Sequence, residues 1–325
     1  MNISFIGAGL IARKVVNTLK KMEGVNLYAV SARDKGRAEL FAREFGFEKS
    51  FGSYEEMLLD DNVGLVYINT TISHHAKHIE MCVNAGRPSL CEKAFTTTAT
   101  EARRILSLSS EKRIFVGEAL WTRYMPMAKT VRDIVNSGRL GEIVSLHANL
   151  GYPVGHLERL QSPELSGGAL LDIGVYTLAF AELCFGDNIQ SFSSTAEMSA
   201  SGVDRSSYTC ITYMNGRKAY LFSTFDSLSD RRGAIYGVDG YLVVENINNF
   251  EEIDIYNKDN ILIERIKAPE QISGYEYQFE CADSAIQNGE IECEEWSHKE
   301  IITLMEQMDN IRHSWGMYYP GEPRI

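Results

Sequence analysis

A lysine and a tyrosine in this sequence could together move a proton to or from an alcohol. Lys93 follows a short apolar run in the tetrapeptide Cys91-Glu92-Lys93-Ala94. Tyr176 lies four residues after Asp172 in a glycine-led apolar segment, so the two side chains would share one face of a helix. A free tyrosine has a pKa of ~10, and a nearby ammonium group lowers that pKa because it favours the phenolate. Such a pair is a physical means of acid–base catalysis on an alcohol or a carbonyl.

The same residues also have structural interpretations, which the sequence alone leaves open. A tyrosine on an apolar helix usually packs in the core, and a lysine at a strand end is usually solvated. His74 and His78 stand four residues apart, but no carboxylate or cysteine completes a ligand set, so we expect no metal there. His75 is instead a candidate for the edge of a cofactor site. His156, in a loop ahead of the Tyr176 segment, is a candidate for a substrate contact.

The N-terminal segment has the pattern of a dinucleotide-binding turn. Residues 4–12 read SFIGAGLIA, in which an apolar strand ends at Gly7 and a helical pattern begins at about Leu10. Gly7 permits the turn, Gly9 lets the backbone approach a pyrophosphate, and Ala12 lets the helix pack close to the strand. The free N–H groups at the helix start would bind the phosphates. The predicted cofactor contacts here are Gly7, Ala8, Gly9, Leu10 and Ile11. A tight turn without a ligand is the alternative.

The end of the second predicted strand bears on which nicotinamide cofactor binds. Proteins of this kind that use NAD usually place an acidic residue there, to bind the ribose 2′-hydroxyl. This chain has Ser31, Ala32 and Arg33 instead. A guanidinium suits a 2′-phosphate, so we favour NADP and name Ser31 and Arg33 as contacts. Asp34 keeps NAD as an alternative, because it could reach the ribose if it does not cap the following helix.

Strand and helix patterns alternate through residues 1–120, which predicts an α/β domain with a doubly wound parallel sheet. Capping boxes at residues 53–56, 98–101 and 297–300 predict helix starts. In such a sheet, ligands bind beyond the carboxyl ends of the strands. Further candidate cofactor contacts at this edge are Thr70, Thr71, His75, Glu92, Lys93, Trp121 and Arg123. For Trp121 and Arg123, packing between domains is an equally open interpretation.

The pattern changes after residue 120. Residues 121–325 contain a run of strand patterns between residues 189 and 266, preceded and followed by helices. This predicts a second, α+β domain on a large, mostly antiparallel sheet that binds substrate. A sheet with helices on one face leaves its other face uncovered. We therefore expect a homo-oligomer, a dimer or a tetramer, that forms through this sheet.

Bulk properties exclude several classes of protein. The chain has 325 residues, 44% of them hydrophobic, and a formal net charge of −12, which argues against a nucleic-acid partner. We identify no apolar run of the ~20 residues that a membrane span needs and no signal peptide, so we expect a cytoplasmic protein. The six cysteines include no C-x-x-C pair and are interpreted as reduced thiols, not as disulfides or a zinc site.

Several motifs together resemble the Gfo/Idh/MocA family of NAD(P)-dependent oxidoreductases. They run in family order over most of the chain: residues 7–12 (GAGLIA), 66–70 (VYINT) with His75, Glu92-Lys93, 118–124 (EALWTRY) and 167–176 (GGALLDIGVY). Trp121, Arg123 and Tyr176 resemble the branch of dimeric dihydrodiol dehydrogenases, NADP-dependent xylose dehydrogenases and glucose–fructose oxidoreductases. Related inositol dehydrogenases usually carry histidine at the place of Tyr176.

The resemblance implies a function and residue roles. It implies that Lys93 and Tyr176 are the catalytic pair, that Tyr176 carries the proton and that Asp172 holds the substrate. The expected activity is NADP-dependent hydride transfer to or from a carbinol carbon of a sugar, cyclic polyol or trans-dihydrodiol. A non-enzymatic dinucleotide sensor and an NAD-dependent glycosidase are the alternatives. Ala94 stands where the family has proline, and Thr71 and Ile72 also depart from the family pattern.

Overall fold

The computed structural model describes residues 1–324, which form two compact units. The first unit contains residues 1–121 and 272–305, and the second contains residues 122–271 together with the segment from residue 306 onwards. The sequence predicted one domain boundary, after residue 120. That boundary assigns residues 272–305 to the second domain, whereas in the structure they complete the first unit.

A six-stranded parallel sheet forms the centre of the first unit. Its strands are β1 (Asn2–Ile6), β2 (Asn26–Ser31), β3 (Lys49–Phe51), β4 (Leu65–Ile68), β5 (Ser89–Glu92) and β6 (Val116–Ala119). They lie in the order β3-β2-β1-β4-β5-β6, so the direction of winding reverses between β1 and β4. Such a reversal opens a crevice at the carboxyl ends of the two strands. The doubly wound parallel sheet expected from the sequence is thereby confirmed.

Helices connect these strands, and local sequence signals set where they begin. They are α1 (Leu10–Leu19), α2 (Lys35–Phe45), α3 (Tyr54–Leu58), α4 (Ile72–Asn84) and α5 (Ala99–Lys112). The Ser53 and Thr98 side chains accept hydrogen bonds from the backbone N–H groups of Glu56 and Glu101. Each bond satisfies a donor that the first helical turn leaves unpaired. The first two predicted helix starts are therefore confirmed.

The second unit contains an eight-stranded, mostly antiparallel sheet. Its helices are α6 (Pro126–Asn136), α7 (Glu158–Gln161) and α8 (Val175–Phe185). Its strands are β7 (Ile143–Gly151), β8 (Ile189–Met198), β9 (Asp204–Tyr213), β10 (Lys218–Thr224), β11 (Gly233–Gly237), β12 (Gly240–Glu245), β13 (Glu252–Asn257) and β14 (Leu262–Lys267). Only β7 and β10 pair in parallel in the order β14-β13-β12-β11-β7-β10-β9-β8. The predicted α+β architecture is confirmed.

The chain then returns to the first unit with α9 (Glu276–Gln287) and the start of α10 (His298–Ser314). The ring of Phe279 packs 5.4 Å from that of Tyr67 on β4. The indole N–H of Trp296 donates to Glu118 on β6 over 2.7 Å, and the Val116 N–H donates to the Ile291 carbonyl over 3.0 Å. These buried contacts are the physical reason why residues 272–305 belong to the first unit.

One stretch is long and apolar enough to cross a membrane by length and composition, contrary to our expectation from the sequence. It spans Pro163–Phe185, and 83% of its most apolar window is buried inside the fold. Every residue of α8 is buried. A helix that is apolar on all sides is either a membrane span or a core helix. The burial identifies this one as a core helix.

Candidate active site

The glycine turn after β1 lies at the point where the sheet winding reverses. The Gly7 N–H donates to the Ser31 carbonyl over 2.9 Å. Gly7 has φ +110°, and a Cβ there would lie 2.6 Å from Oδ1 of Asn69. Only glycine therefore fits this position without strain. At Gly9 the nearest atom to an added Cβ is 3.9 Å away, so the protein itself leaves that position open.

The start of α1 is bare. Gly9 is its N-cap residue, and no side chain caps the helix or places an acidic group in its first turn. The first N–H groups of a helix lack partners within the helix and carry a partial positive charge. Leu10 is 74% exposed. This helix start can therefore bind a phosphate group, as the glycine pattern predicted.

Asn69 lies within the motif of residues 66–70 but is not among the contacts predicted from the sequence. It follows β4 and is 6% exposed. Neither its amide nitrogen nor its amide oxygen has a hydrogen-bond partner among residues 1–324. Buried amides are nearly always hydrogen-bonded. An unpaired amide beside Gly7 is the kind of group that a polar ligand satisfies, so the turn and Asn69 together fit a dinucleotide.

Two arginine side chains, Arg33 and Arg37, follow the carboxyl end of β2. Arg33 is exposed, and Asp34 caps α2 by accepting from the Arg37 N–H over 2.6 Å. The Arg37 guanidinium donates to the Ala8 carbonyl over 3.0 Å, which brings a second cation to the glycine turn. Ser31 is fully buried with its hydroxyl unpaired among the described residues. Arg37 was missed because its approach to residue 8 depends on the fold.

The charges of Arg33 and Arg37 act on their neighbours. Burial raises the pKa of Tyr54, and both guanidinium groups oppose that rise. Burial lowers the pKa of His74, and the charge of Arg33 lowers it further. Arg33 and Arg37 therefore face the same small region, which adjoins the start of α4. Their two positive charges there suit a phosphate group.

His75 is buried and joins two loops of the predicted cofactor edge. Its ring nitrogens lie 3.0 Å from the Ala94 carbonyl oxygen and 3.1 Å from that of Thr70. Burial lowers the pKa of His75 to about 4, so the ring is neutral at pH 7. The Thr71 hydroxyl lies 2.9 Å from Nδ1 of His74. His75 is fully buried, and its two contacts link the backbone of residues 70 and 94.

Lys93 is half-buried after β5, and titratable side chains lie on the neighbouring strands. The Tyr67 hydroxyl donates to Glu92. Glu118 is buried and accepts from Trp296, and burial raises the pKa of Glu118 to about 7. The nearby Lys93 charge partly offsets this rise in pKa, whereas the Glu92 charge adds to it. The Lys93–Ala94 peptide bond is cis.

In the second unit, Tyr176 lies in the first turn of α8 and is 9% exposed. Residues Leu170–Gly174 ahead of it form a π-helix, not the continuous α-helix that the sequence pattern predicted. Asp172 lies in this segment and forms an ion pair with Arg159, through two contacts of 2.9 and 3.3 Å. Arg159 was not selected from the sequence, because nothing local links it to Asp172.

Asp204 holds the turn that leads into this helical segment. One of its carboxylate oxygens accepts from the Leu170 N–H over 2.7 Å. A Cβ at Gly168, where φ is +115°, would lie 2.3 Å from the other oxygen. The Tyr319 hydroxyl donates to the Gly167 carbonyl over 2.5 Å. Burial raises the pKa of Asp204 to about 7. Asp204 and Tyr319 were also missed, since both approach from distant parts of the chain.

The remaining candidates have these positions. Trp121 stacks on Tyr275 at 4.2 Å within the first unit. Arg123 is 5% exposed, and its guanidinium donates to the Ala179 carbonyl over 3.5 Å within the second unit. His156 lies in an open cleft of about 480 Å³ in the second unit, together with Gln161, Arg205, Phe225 and Asp226.

Comparison with known proteins gives consistent results. A model of the oxidoreductase family with an NAD-binding Rossmann fold matches residues 1–118, and the GFO/IDH/MocA C-terminal domain matches residues 128–243. The trans-1,2-dihydrobenzene-1,2-diol dehydrogenase of Sus scrofa is 30% identical over 238 residues, which cover 72% of this chain and 71% of that protein.

Two solved structures have the same fold. A 3-ketoreductase from Actinomadura kijaniata, in complex with NADP and TDP-benzene, has a TM-score of 0.88 at 24% identity and covers 96% of this chain and 97% of its own. A levoglucosan dehydrogenase, in complex with NADH and levoglucosan, has a TM-score of 0.86 at 18% identity and covers 97% of each chain. At these identities the likeness shows the fold alone.

Proposed function

The chain belongs to the Gfo/Idh/MocA family of NAD(P)-dependent oxidoreductases, and we propose that it transfers a hydride between NADP and a carbinol carbon. The proposed substrates are neutral polyhydroxy compounds: sugars, cyclic polyols or trans-dihydrodiols. The observation that carries the cofactor is the bare start of α1 beside the unpaired amide of Asn69. Both are polar groups that a dinucleotide would satisfy.

The charges at the end of β2 support NADP over NAD. Arg33 and Arg37 supply two guanidinium groups near the glycine turn. A 2′-phosphate forms charge-assisted hydrogen bonds with such groups, whereas a 2′-hydroxyl gains much less. Asp34, the residue that would favour NAD, is used as the cap of α2. The structural neighbours are named with NADP in one case and NADH in the other, so the choice depends on this chain's own residues.

Relatives support the class of substrate. The curated relatives are named for a dihydrodiol, and a structural neighbour is named for levoglucosan. Both compounds are uncharged and carry hydroxyl groups on ring carbons. This chain's Asp172, paired with Arg159, is the proposed anchor for one such hydroxyl. The second unit also offers the cleft that contains His156 and Arg205.

The proposed proton transfer uses Tyr176 and Lys93. In the oxidation direction the Tyr176 phenolate accepts the substrate's hydroxyl proton, the C–H bond breaks, and a carbonyl forms. In the proposed pair, the Lys93 ammonium stabilises the phenolate form that accepts the proton. Bound NADP would supply the hydride acceptor. In reduction Tyr176 returns the proton to the alkoxide oxygen, so both directions balance.

Substitution of the proposed pair tests this mechanism. Tyr176→Phe and Lys93→Met should each lower turnover by ~10²-fold or more. The first removes the group that carries the proton, and the second removes the charge that stabilises its phenolate. NADP binding, measured by quenching of protein fluorescence, should change little. Tyr277→Phe and Lys258→Met, at half-buried and exposed positions, serve as matched controls with normal turnover. Turnover like that of the wild type in either test variant would remove the mechanism.

One assay separates the proposal from its alternatives. Purified protein is mixed with NADP and a panel of sugars, polyols and dihydrodiols, and NADPH absorbance is followed. Steady NADPH formation with a panel member supports the dehydrogenase. Tight NADP binding without turnover on any panel member would point to a sensor. Cleavage of a glycosidic bond without net NADPH formation would point to a glycosidase.

We further propose that the protein is cytoplasmic and that it forms a homodimer. The two copies would meet through the open face of the large sheet. This open face is defined by His147, Tyr208, Tyr220, Phe222 and Tyr236, on neighbouring strands. Tyr208 is 63% exposed, and its ring stacks 4.4 Å from that of Phe222. Contiguous exposed aromatic residues usually mark an interaction surface. The cytoplasmic location is proposed because the six cysteines are free thiols in the structure, the state that a reducing compartment maintains.

A further inference from the structure

Three ligand-type side chains meet in the segment that returns to the first unit. Cys281 lies in the middle of α9, and Cys293 forms an isolated antiparallel bridge with Trp296. Glu295 lies in the tight turn between Cys293 and Trp296. The two sulfur atoms and a carboxylate oxygen of Glu295 all lie within 4.8 Å of one another. The lack of a C-x-x-C pair predicted reduced thiols and no zinc site, and eleven residues separate Cys281 from Cys293.

The donor set and its spacing suit a soft divalent cation. Thiolate and carboxylate are established ligands of Zn²⁺, with bonds of about 2.3 and 2.0–2.2 Å. A tetrahedral site built with such bonds separates its donor atoms by about 3.5–3.8 Å. The three donor atoms of this cluster lie within 4.8 Å of one another, so their separations are close to that range. The Cys281 thiol, for example, donates to Oε2 of Glu295 over 2.9 Å.

The burial of the three side chains gives one closed and one open side. Cys293 is 1% exposed, Cys281 is half-buried and Glu295 is exposed. A cation could enter past Glu295 and keep a water molecule as its fourth ligand. Three protein ligands with one open position is a common zinc arrangement. The surrounding protein also fixes the ligands from two directions, since α9 carries one and the bridged turn carries the other two.

We propose that Cys281, Cys293 and Glu295 form a binding site for a soft divalent cation such as Zn²⁺. On binding, two S–H bonds break, two metal–sulfur bonds form and two protons leave to solvent. The ion would link α9 to the turn that precedes α10. It would thereby fix Trp296, whose indole donates to Glu118. The site is independent of the proposed hydride transfer.

Metal binding to the full chain tests the proposal. The protein is stripped with a chelator under reducing conditions and titrated with Zn²⁺ against a competing indicator dye. We expect one high-affinity ion per chain. Cys281→Ser and Cys293→Ser should each weaken binding by about 100-fold or more, and Glu295→Gln by about 10-fold. Cys210→Ser and Glu290→Gln, a half-buried cysteine and an exposed glutamate outside the cluster, are the controls and should bind normally.

Two measurements on the wild type do not depend on how the variants fold. Co²⁺ should give tetrahedral d–d bands and a thiolate-to-metal charge-transfer band. Zn²⁺ should protect Cys281 and Cys293, but not Cys210, from alkylation as read by mass spectrometry. Zn²⁺ affinity should also rise with pH, because protons are released. Absence of stoichiometric binding, binding that both serine variants retain, or a Cys281–Cys293 disulfide as the only chemistry would overturn the proposal.

Discussion

The choice between NADP and NAD should depend on Arg33, together with Arg37. Arg33 is exposed at the end of β2, and its charge acts on the same neighbours as that of Arg37. Neither guanidinium would have a strong partner on a ribose that carries only hydroxyl groups. The preference for the 2′-phosphate should therefore depend mainly on these two side chains.

Arg33→Ala should weaken NADP binding by about 10- to 100-fold, the equivalent of one hydrogen bond to a charged group. NAD binding should change by less than about 3-fold, since NAD lacks the phosphate. Titration calorimetry with both dinucleotides measures the difference, and Arg104→Ala, an exposed arginine on α5, is the control. Equal losses for NADP and NAD would show that Arg33 does not select the phosphate.

Asp204 gives the stability of the protein a pH dependence. Burial raises its pKa from an ordinary 3.8 to about 7. Between these two pH values the folded state binds a proton that the unfolded state has lost. The free energy of unfolding therefore falls as pH rises through this window, and the stabilisation is fully present only at lower pH.

Asp204→Asn should remove its share of this fall, which for one buried carboxyl amounts to about 4 kcal/mol, and leave the share of Glu118, whose pKa burial also raises to about 7. Urea unfolding at a series of pH values across the window measures it. Asp259→Asn, in an exposed turn, should keep the wild-type slope. If the Asp204→Asn profile ran parallel to that of the wild type, another group would be responsible.

At the scale of elements, the turn between β1 and α1 contains two glycines that are needed for different reasons. Gly7 is required by the protein, because its positive φ and its closeness to Asn69 leave no room for a side chain. Gly9 has an ordinary φ of −92° and open space around an added Cβ. Any demand for glycine at position 9 must therefore come from a bound molecule.

Gly7→Ala should destabilise the protein by about 1–3 kcal/mol through backbone strain. Gly9→Ala should change thermal stability far less and yet weaken NADP binding by about 10-fold or more, since its methyl group would occupy the approach to the first turn of α1. Thermal unfolding and fluorescence titration measure both effects. Normal NADP affinity in Gly9→Ala would argue against phosphate binding at this turn.

Elements with local signals could be predicted from the sequence, whereas contacts between distant segments could not. The box at Ser297 is reciprocal in the structure: the Glu300 N–H donates to the Ser297 hydroxyl, and the Ser297 N–H donates to the Glu300 carboxylate. Both residues lie within one turn, so the pattern suffices. The π-helical segment before α8 has the same apolar composition as an α-helix, and no sequence signal separated them.

The same distinction between local signals and distant contacts applies to the residues of the site. The glycine turn, the end of β2 and the strand-end positions of Thr70 and Lys93 follow from the order of strands and helices. Asn69, Arg37, Arg159 and Asp204 gain their roles only when other segments of the chain approach them in the fold. The meeting of Cys281 with Cys293 is of this second kind, which is why spacing alone argued against a metal site.

At the scale of the whole molecule, the open face of the large sheet should hold two copies together. Replacement of Tyr208 and Tyr220 by Asp would place charges in an apolar contact and should convert the dimer to a monomer. Light scattering after size-exclusion chromatography gives the mass. Leu59→Asp, at a residue that is 80% exposed in the first unit, should leave the mass unchanged. A double variant that keeps the wild-type mass would place any interface elsewhere.

The path of the chain between its units has a consequence for biosynthesis. The first unit needs Phe279 and Trp296, and the second needs Arg312 and Tyr319, whose side chains bond within it. All four residues follow every strand of both sheets in the order of synthesis. Neither unit can therefore be finished before this later segment is made, although domains often fold as they emerge. The nascent protein must keep two incomplete cores from aggregating until residues 272–319 have been made.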